Sequence, residues 1–288
     1  MSDTPEVSVI VPIYRQWDYL ETLLVALSQQ TLEVARFEII LVANERPPQG
    51  LNDCDWPVSV KMITCLTPGS YAARNAGLRE ARARFLAFTD ADCRPEHRWL
   101  EALLVRLTSG NAPLVAGAIN MDAPKSETLW SCYDMLRGIP QHRYVARGYG
   151  ACANLAVARK VFEQVGEFDE TRLSGGDAEF CRRAGGQGHA IAYDNSACVW
   201  HPSRATFREV FTKARRIRGG QIRAGTVQRR IAWGLMSFVP PMRETGRFLQ
   251  AKHPASCKAK AILGLYALWL ATLGETVRLT VGGCPERQ

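Results

Sequence analysis

The chain has 288 residues, of which 47% are hydrophobic and 22% are charged. This length and composition exclude a disordered protein and allow one large domain with an appendage, or two small domains. The net charge of +8 is uneven: residues 1–203 carry 20 Lys and Arg against 24 Asp and Glu, whereas residues 204–288 carry 16 against four. We therefore expect an anionic partner for the last part, either a membrane surface, nucleic acid or phosphate.

Short apolar runs alternate with helical patterns over the first 120 residues. The runs predict strands at residues 7–11, 37–42, 58–66, 84–89 and 114–121. Apolar side chains at helical spacing predict helices at residues 20–27, 70–82 and 99–107. This alternation indicates an α/β fold with a mainly parallel, Rossmann-like sheet flanked by helices. Residues 12–14, 43–46 and 90–92 should then share the rim at the carboxyl ends of the strands, where ligands bind.

The middle of the chain has weaker signals. Small residues at 148–153 indicate a tight passage near a ligand, and helices are predicted near residue 158, at 177–184 and at 207–223. Nine cysteines are scattered without a CxxC pair, so free thiols in a reducing compartment are favoured over disulfides or a zinc site.

Residues 226–288 read as a helical, basic and apolar appendage to a domain at residues 1–225. Two apolar stretches, 231–239 and 261–274, are each shorter than the roughly 20 residues of a membrane-spanning helix. Arginines and lysines flank both, which is typical of amphipathic helices in an anionic membrane interface. Ordinary helices packed on the domain or on a second subunit are the alternative. The polar, acidic start lacks a signal-peptide pattern, so we expect a cytoplasmic protein, peripheral on the inner face of the membrane if the appendage binds lipid.

The first chemical candidate is Asp90-Ala91-Asp92, directly after a buried strand. Two carboxylates one residue apart can share a hard cation such as Mg²⁺ or Mn²⁺, which also binds diphosphate oxygens. Because Asp is also common in ordinary turns, the motif alone is weak evidence for a metal site. Its position at the carboxyl end of a strand, where ligands bind, strengthens the prediction.

The second candidate follows a double glycine, where Asp177 and Glu179 begin a helix. Asp177 could be a helix N-cap or the general base that deprotonates an acceptor hydroxyl. Glu179 could orient the acceptor or support Asp177. Further along, His201 could complete a metal site or be structural, and Arg218 on the basic helix could neutralise a diphosphate or face solvent.

Four ordered motifs resemble family 2 glycosyltransferases of the GT-A fold over about residues 6–220. They are residues 7–14 (VSVIVPIY), 70–77 (SYAARNAG), 85–92 (FLAFTDAD) and 176–183 (GDAEFCRR). Four motifs in order at suitable spacing are far more specific than any one of them.

The resemblance implies inverting transfer of a sugar from a nucleotide diphosphate donor. It implies that Asp92 holds the metal with His201 nearby, and that Asp177 is the catalytic base. It further implies that Pro12 and Tyr14 border the nucleotide base, that Arg74 lies near the nucleotide, and that Asp90 contacts the ribose or the metal.

Two departures from the family pattern bear on these roles. Ala43 stands where the family usually has an Asp that contacts the base, so Asn44 or Glu45 would substitute for it. Gly176 stands where the acidic motif often has a Glu. Because of Ala43, the sequence does not identify the nucleotide base of the donor. Gly176 does not affect the assignment of Asp177, which is still present.

The expected reaction is metal-assisted direct displacement, with a glycan or lipid-linked acceptor of the kind used in cell-envelope or exopolysaccharide synthesis. A nucleotidyltransferase is the first alternative, although residues 12–18 lack the Gly and Lys of a phosphate loop. A non-catalytic nucleotide-sugar-binding protein of the same fold is the second. Nucleic acid is not expected, because the aromatic side chains of the appendage lie in apolar runs rather than among the basic residues.

Overall fold

The computed structural model describes residues 4–51, 56–110, 112–124, 126–172, 174–223, 227–281 and 283. The chain divides into two compact units. Unit 1 comprises Met1–Asn120, Ile139–Thr171 and Gly176–His201, and unit 2 comprises Met121–Gly138, Arg172–Gly175 and Pro202–Gln288. The division into residues 1–225 and 226–288 expected from the sequence stays a prediction.

Eight strands of the described residues form one sheet. They are β1 (Val7–Ile13), β2 (Phe37–Ala43), β3 (Lys61–Thr64), β4 (Phe85–Thr89), β5 (Arg94–Pro95), β6 (Leu114–Met121), β7 (Asn154–Ala158) and β8 (Ile191–His201). Their order is β3-β2-β1-β4-β7-β6-β8-β5. The first four pair in parallel, whereas β7 runs antiparallel to β4 and β6, and β5 runs antiparallel to β8. The expected α/β class with a parallel sheet is confirmed, and the antiparallel strands add to it.

Helices flank the sheet and build unit 2. They are α1 (Leu20–Ser28), α2 (Ser70–Glu80), α3 (Trp99–Ser109), α4 (Leu129–Arg137), α5 (Gln141–Val145), α6 (Arg159–Val165), α7 (Gly176–Gly186), α8 (Phe207–Arg223), α9 (Val227–Met236), α10 (Met242–Gln250) and α11 (Ala255–Thr280). Most strong sequence patterns match an element within two residues. The expected strand at residues 58–66 is shorter, because only Lys61–Thr64 pairs with β2.

The central strands are buried because their sequences are apolar on both faces: all seven residues of β1 and all five of β4 are buried. Strand β7 begins instead with Asn154, a fully buried amide. Its Nδ2 donates to the carbonyls of Ala118 and Ala197, both at 2.8 Å, and its Oδ1 accepts from Trp99 Nε1 at 2.9 Å. Gly117 opposite leaves room for this amide, since a Cβ there would overlap it. The buried Asn154 amide therefore links the antiparallel strands β6, β7 and β8 and helix α3.

Unit 2 has its own core. Helix α4 begins with a capping box between Thr128 and Ser131. The Tyr133 ring of α4 packs against Phe248 of α10, and buried residues of α11 complete the cluster.

Helix α11 is longer than the apolar stretch 261–274 that predicts it. Over the part of the chain that the structure describes, it is the one helix long and apolar enough to cross a membrane. The helix extends on both sides of that stretch into segments that carry Lys258, Lys260, Glu275 and Arg278. The same length and composition also suit a helix packed inside a protein, and 39% of its apolar window is buried.

Candidate active site

The rim predicted from the sequence forms in unit 1. Glu45, just after β2, accepts hydrogen bonds from the Arg15 backbone N–H at 2.6 Å and from Trp17 Nε1 at 2.8 Å. Tyr14 is half-buried beside them, with the Arg15 guanidinium 5.0 Å from its ring centre. Pro12 is buried inside β1. The carboxyl ends of β1 and β2 thus bring a carboxylate and two aromatic rings together.

The two candidates for the missing Asp at Ala43 have different surroundings. Asn44 donates to the carbonyls of Cys65 and Thr67, both at 2.7 Å, and its Oδ1 accepts from the Gly69 N–H at 3.0 Å. These three bonds hold the segment before α2 and occupy the Asn44 side chain. Glu45 is therefore the better-placed acceptor for a ligand on this rim.

Asp90 and Arg74 form an ion pair. Arg74, on α2, is 5% exposed and its Nη2 lies 2.5 Å from Asp90 Oδ1. The Arg74 Nε is buried, with no hydrogen-bond partner among the described residues. This arrangement orients Asp90 toward α2 and leaves the buried Arg74 Nε without a protein acceptor.

Asp92 has surroundings that fit a metal ligand. Its Oδ2 lies 3.7 Å from His201 Nε2, and its Oδ1 is buried with no hydrogen-bond partner within the described residues. A buried carboxylate oxygen without a donor is costly unless it binds a cation. No set of three His, Cys, Asp or Glu side chains converges anywhere in the described ranges. The pair therefore suits an ion that takes its remaining ligands from substrate phosphates and water, as Mg²⁺ commonly does.

Asp177 lies at the start of α7, where its carboxylate accepts three hydrogen bonds. The donors are the Ala178 N–H at 2.8 Å, the Tyr71 hydroxyl at 3.3 Å and the Cys152 N–H at 3.4 Å. Burial raises the pKa of Asp177, and these donors and the nearby Arg74 only partly offset the effect. A carboxylate with a raised pKa is a better proton acceptor, as general-base catalysis requires.

The Asp177 environment includes a residue that the sequence analysis did not single out. Tyr71 lies inside the quoted SYAARNAG motif, and its ring packs against Gly176, where an added Cβ would be 2.7 Å from the ring. This contact accounts for the glycine in place of the family's usual Glu. Burial raises the pKa of Tyr71 well above its usual value, so its hydroxyl stays protonated and donates to Asp177.

The other two site candidates have protein partners. Glu179 pairs with Arg183 one turn along α7 at 2.9 Å, and Arg183 in turn donates to the carbonyl of Glu167 at 2.7 Å. Arg218 belongs to unit 2, where it donates to the hydroxyls of Thr272 and Thr276 on α11. Substrate-binding roles for both residues stay predictions.

Unit 1 has the parallel strands, with carboxylates at their carboxyl ends, that the GT-A resemblance implies. The family described as "Glycosyl transferase family 2" matches residues 8–166. That is more than half of the chain, which therefore belongs to this family and is a glycosyltransferase.

Related proteins agree with this assignment. Glycosyltransferase AglE of Haloferax volcanii is 28% identical over 95% of this chain and 95% of its own length. The pre-mycofactocin glycosyltransferase of Mycobacterium tuberculosis is 32% identical, over 49% of this chain and 32% of its own length.

Two solved structures share the fold. The mannosyltransferase PcManGT from Pyrobaculum calidifontis, in complex with GDP-Man and Mn²⁺, aligns over 96% of this chain and 85% of its own, with a TM-score of 0.58 and 16% identity. TarS of S. aureus in complex with UDP-GlcNAc aligns over 95% of this chain and 81% of its own, with a TM-score of 0.55 and 17% identity. They confirm the expected GT-A architecture.

Proposed function

We propose that this glycosyltransferase moves a sugar from a nucleotide diphosphate donor to an acceptor hydroxyl with inversion at the anomeric carbon. The observation that supports it most is that unit 1 holds two carboxylates in different surroundings. Asp177 has a raised pKa and three donors, and Asp92 has a buried oxygen without a protein partner. The first suits a proton acceptor and the second suits a cation.

The donor binds along the rim of unit 1 in this proposal. Tyr14 and Pro12 border the nucleotide base, and Glu45 takes the place of the missing Asp at Ala43. Arg74 and Asp90 contact the ribose and phosphate side of the nucleotide, where the free Nε of Arg74 is a donor. The complexes of related folds with UDP-GlcNAc and GDP-Man support a nucleotide-sugar donor of either base.

Asp92 and His201 would hold Mg²⁺ or Mn²⁺. When bound, the ion would neutralise charge on the departing nucleotide diphosphate. Arg218 stays the candidate, from the sequence, for a donor to phosphate oxygens, and in the structure it donates to the hydroxyls of Thr272 and Thr276.

Asp177 acts on the acceptor. Its carboxylate removes the hydroxyl proton while the acceptor oxygen attacks C1 from the face opposite the diphosphate. Tyr71 and the Cys152 N–H keep the carboxylate in place, and Glu179 orients the acceptor on the same helix. A single displacement inverts the configuration, and NMR of the product measures it; a product that retains the donor's configuration would exclude this mechanism.

The acceptor is a glycan or a lipid-linked sugar of cell-envelope or exopolysaccharide synthesis in this proposal. Unit 2 exposes apolar side chains on and near α9 and α10: Val227, Ile231, Leu235, Met236, Phe238, Val239, Met242 and Leu249. Basic residues accompany them, among them Arg230, Arg243 and Lys252, and the pairing of apolar and basic side chains suits an anionic bilayer surface. The protein would then work in the cytoplasm, peripherally on the inner face of the membrane.

Flotation of the full chain with anionic vesicles tests the membrane part. Leu235→Gln should weaken vesicle binding, whereas Val105→Gln, at another exposed apolar position, on α3 of unit 1, should not. Equal flotation of both variants and the wild type would remove the membrane claim without affecting the transferase assignment.

A nucleotide-sugar screen tests the donor part. We expect one nucleotide diphosphate to raise the melting temperature with Mn²⁺ or Mg²⁺, and expect EDTA or Asp92→Asn to abolish the effect. Release of that nucleotide from its sugar would follow. The absence of any response would favour the alternative, a non-catalytic binding protein of the same fold; family membership already favours glycosyl over nucleotidyl transfer.

A further inference from the structure

The carboxylate of Glu45 is held by only one of its two oxygens. Oε1 accepts hydrogen bonds from the Arg15 backbone N–H at 2.6 Å and from Trp17 Nε1 at 2.8 Å. Oε2 has no hydrogen-bond partner among the described residues, and the Glu45 side chain is half-buried. A carboxylate can only accept hydrogen bonds. Glu45 therefore presents one oriented, acceptor-only oxygen just beyond the carboxyl end of β2.

The turn that orients Glu45 has an unusual backbone conformation. Arg15 has a φ of 56°, and it is the one non-glycine residue at positive φ in the part of the chain that the structure describes. This region is unfavourable for a residue with a Cβ, and it persists where surrounding contacts hold it. Here the Arg15 N–H is directed at Glu45 Oε1, so the turn after β1 and the residue after β2 fix each other. The Oε2 atom is thus positioned before a ligand arrives, which favours selective binding.

Glu45 also lies where the topology of unit 1 favours a nucleotide. Strand β1 lies between β2 and β4, so the chain crosses first to one side of β1 and then to the other. Ligands bind outside the carboxyl ends of the strands at such a switch point. Beside Glu45, Ala43 has no polar side-chain atom, and three hydrogen bonds occupy the Asn44 amide. In the donor site proposed above, on which this inference rests, Glu45 therefore contacts the nucleotide base.

The bases differ in what they present to an acceptor-only oxygen. On its pairing edge guanine carries two parallel donors, N1–H and N2–H, which can converge on one oxygen. Uracil carries a single N–H between two carbonyl oxygens, and adenine and cytosine each carry a ring-nitrogen acceptor beside an amino group. A carboxylate oxygen attracts donors and repels acceptors, and a site of this kind discriminates strongly between ligands. Guanine is therefore the base that matches Glu45 best.

We propose that Glu45 selects a guanosine diphosphate sugar as the donor. Oε2 accepts N1–H and N2–H of guanine, while Oε1 keeps its bonds from Arg15 and Trp17. Both bonds to the base are charge-assisted, which makes them stronger than bonds between neutral groups. With uracil the same oxygen would accept one hydrogen bond and would lie close to two carbonyl oxygens, so a uridine donor is disfavoured.

Calorimetric titration of the full-length protein with GDP, UDP, ADP and CDP, all in one Mg²⁺ buffer, measures the preference. The four ligands share the ribose and the diphosphate, so the ratios of their affinities report on the base alone. We expect GDP to bind at least about tenfold more tightly than UDP, the effect of one hydrogen bond to a charged group. Inosine diphosphate lacks the amino group of guanine and should bind more weakly than GDP.

Glu45→Gln separates recognition of the base from support of the turn. The glutamine carbonyl oxygen can still accept the two N–H groups that Oε1 accepts, and an NH₂ donor replaces Oε2. We expect GDP affinity to fall at least about tenfold and the difference between GDP and inosine diphosphate to disappear, because a donor now faces N1–H and N2–H. The melting temperature of the free protein should not change. Glu163→Gln, which removes the same charge from an exposed position on α6, should leave every affinity unchanged.

Three results would each overturn the guanine assignment: tighter binding of UDP than of GDP, equal binding of GDP and inosine diphosphate, or an unaltered ratio of GDP to UDP affinity in Glu45→Gln. All three leave the donor site in place, since a nucleoside diphosphate still binds. A purely structural role of Glu45 would instead lower the melting temperature of the variant and weaken all ligands alike, which also overturns the assignment. If no nucleoside diphosphate binds the wild type, the proposed donor site fails together with the guanine assignment.

Discussion

The two units each bury an ionisable group, an acid in unit 1 and a base in unit 2, and burial shifts their pKa values in opposite directions. In unit 1 burial raises the pKa of the Asp177 carboxylate, although hydrogen bonds from backbone N–H groups and a tyrosine lower it. In unit 2 burial and neighbouring arginines lower the pKa of the Lys213 amine to about 7. The cause is the same, because burial disfavours whichever form is charged. In both cases burial moves the pKa of the group toward neutral pH.

Unit 1 surrounds two of its carboxylates with donors, whereas in unit 2 two basic side chains approach the same carboxylate. Asp90 has Arg74, and Asp177 has three donors. In unit 2, Arg204 and Lys213 share Asp134, and Arg215 and Arg278 share Glu275. The difference is one of arrangement: these unit 1 carboxylates have their own donors, whereas in unit 2 two basic side chains approach one carboxylate.

The largest expected effect is on catalysis by unit 1. Asp177→Asn should lower kcat by roughly 10³-fold, in the range of general-base contributions. Because the native pKa of Asp177 is raised, its ionised form at neutral pH disfavours folding, so the Asn variant should melt at an equal or higher temperature. Steady-state kinetics and thermal unfolding measure the two effects. Glu163→Gln, at an exposed position of α6, is the control; near wild-type turnover by Asp177→Asn would contradict the assignment.

The next effect is on the packing that supports Asp177. Gly176→Ala should lower the free energy of unfolding by about 1–3 kcal/mol, because the new Cβ meets the buried Tyr71 ring. Urea denaturation measures it. Gly185→Ala on the same helix has open space around it and should be neutral or stabilising. Gly176→Ala should cost less when Tyr71→Ala is also present than it does in the wild type, and strictly additive effects would show that the two residues are not coupled.

In unit 2 the contribution of Lys213 to the free energy of unfolding depends on pH. The native pKa of Lys213 is below the unfolded value of 10.5, so between about 7 and 10.5 the unfolded chain binds more protons than the native protein. The free energy of unfolding should therefore gain a contribution as pH rises through this window and lose it as pH falls toward 7. Lys213→Met should be at least as stable as the wild type at neutral pH. Its advantage should shrink at about two pH units higher, and parallel pH profiles would contradict the shift.

The smallest effect is at the Asp177 hydrogen bond. Tyr71→Phe should lower kcat by about 2- to 10-fold, the range of one neutral hydrogen bond. Because the Tyr71 hydroxyl lowers the pKa of Asp177, its removal should move the acidic limb of the kcat/KM profile to higher pH. A purely structural role would reduce the rate without moving that limb.

Much of the parallel half of unit 1 could be predicted from the sequence, because its signals are local. Strands β1, β2 and β4 are unbroken apolar runs, and helix α1 has apolar residues at helical spacing. Parallel strands then bring their carboxyl ends to one rim. The rim positions of Asp90 and Glu45 follow from this local pattern.

Contacts between distant residues were decided by the tertiary structure alone. The Tyr71 hydroxyl and Asp177 are separated by 106 positions, and Lys213 meets Asp134 from another helix. Strand β7 depends on the buried amide of Asn154, which a sequence pattern reads as a turn or loop residue. Periodicity reports which face of an element is apolar, but burial, partner and pKa depend on what packs against that face. For this protein, the sequence by itself therefore determined the family and which residues lie at the carboxyl ends of the strands. Packing determined the burial, the partners and the pKa values of its charged side chains.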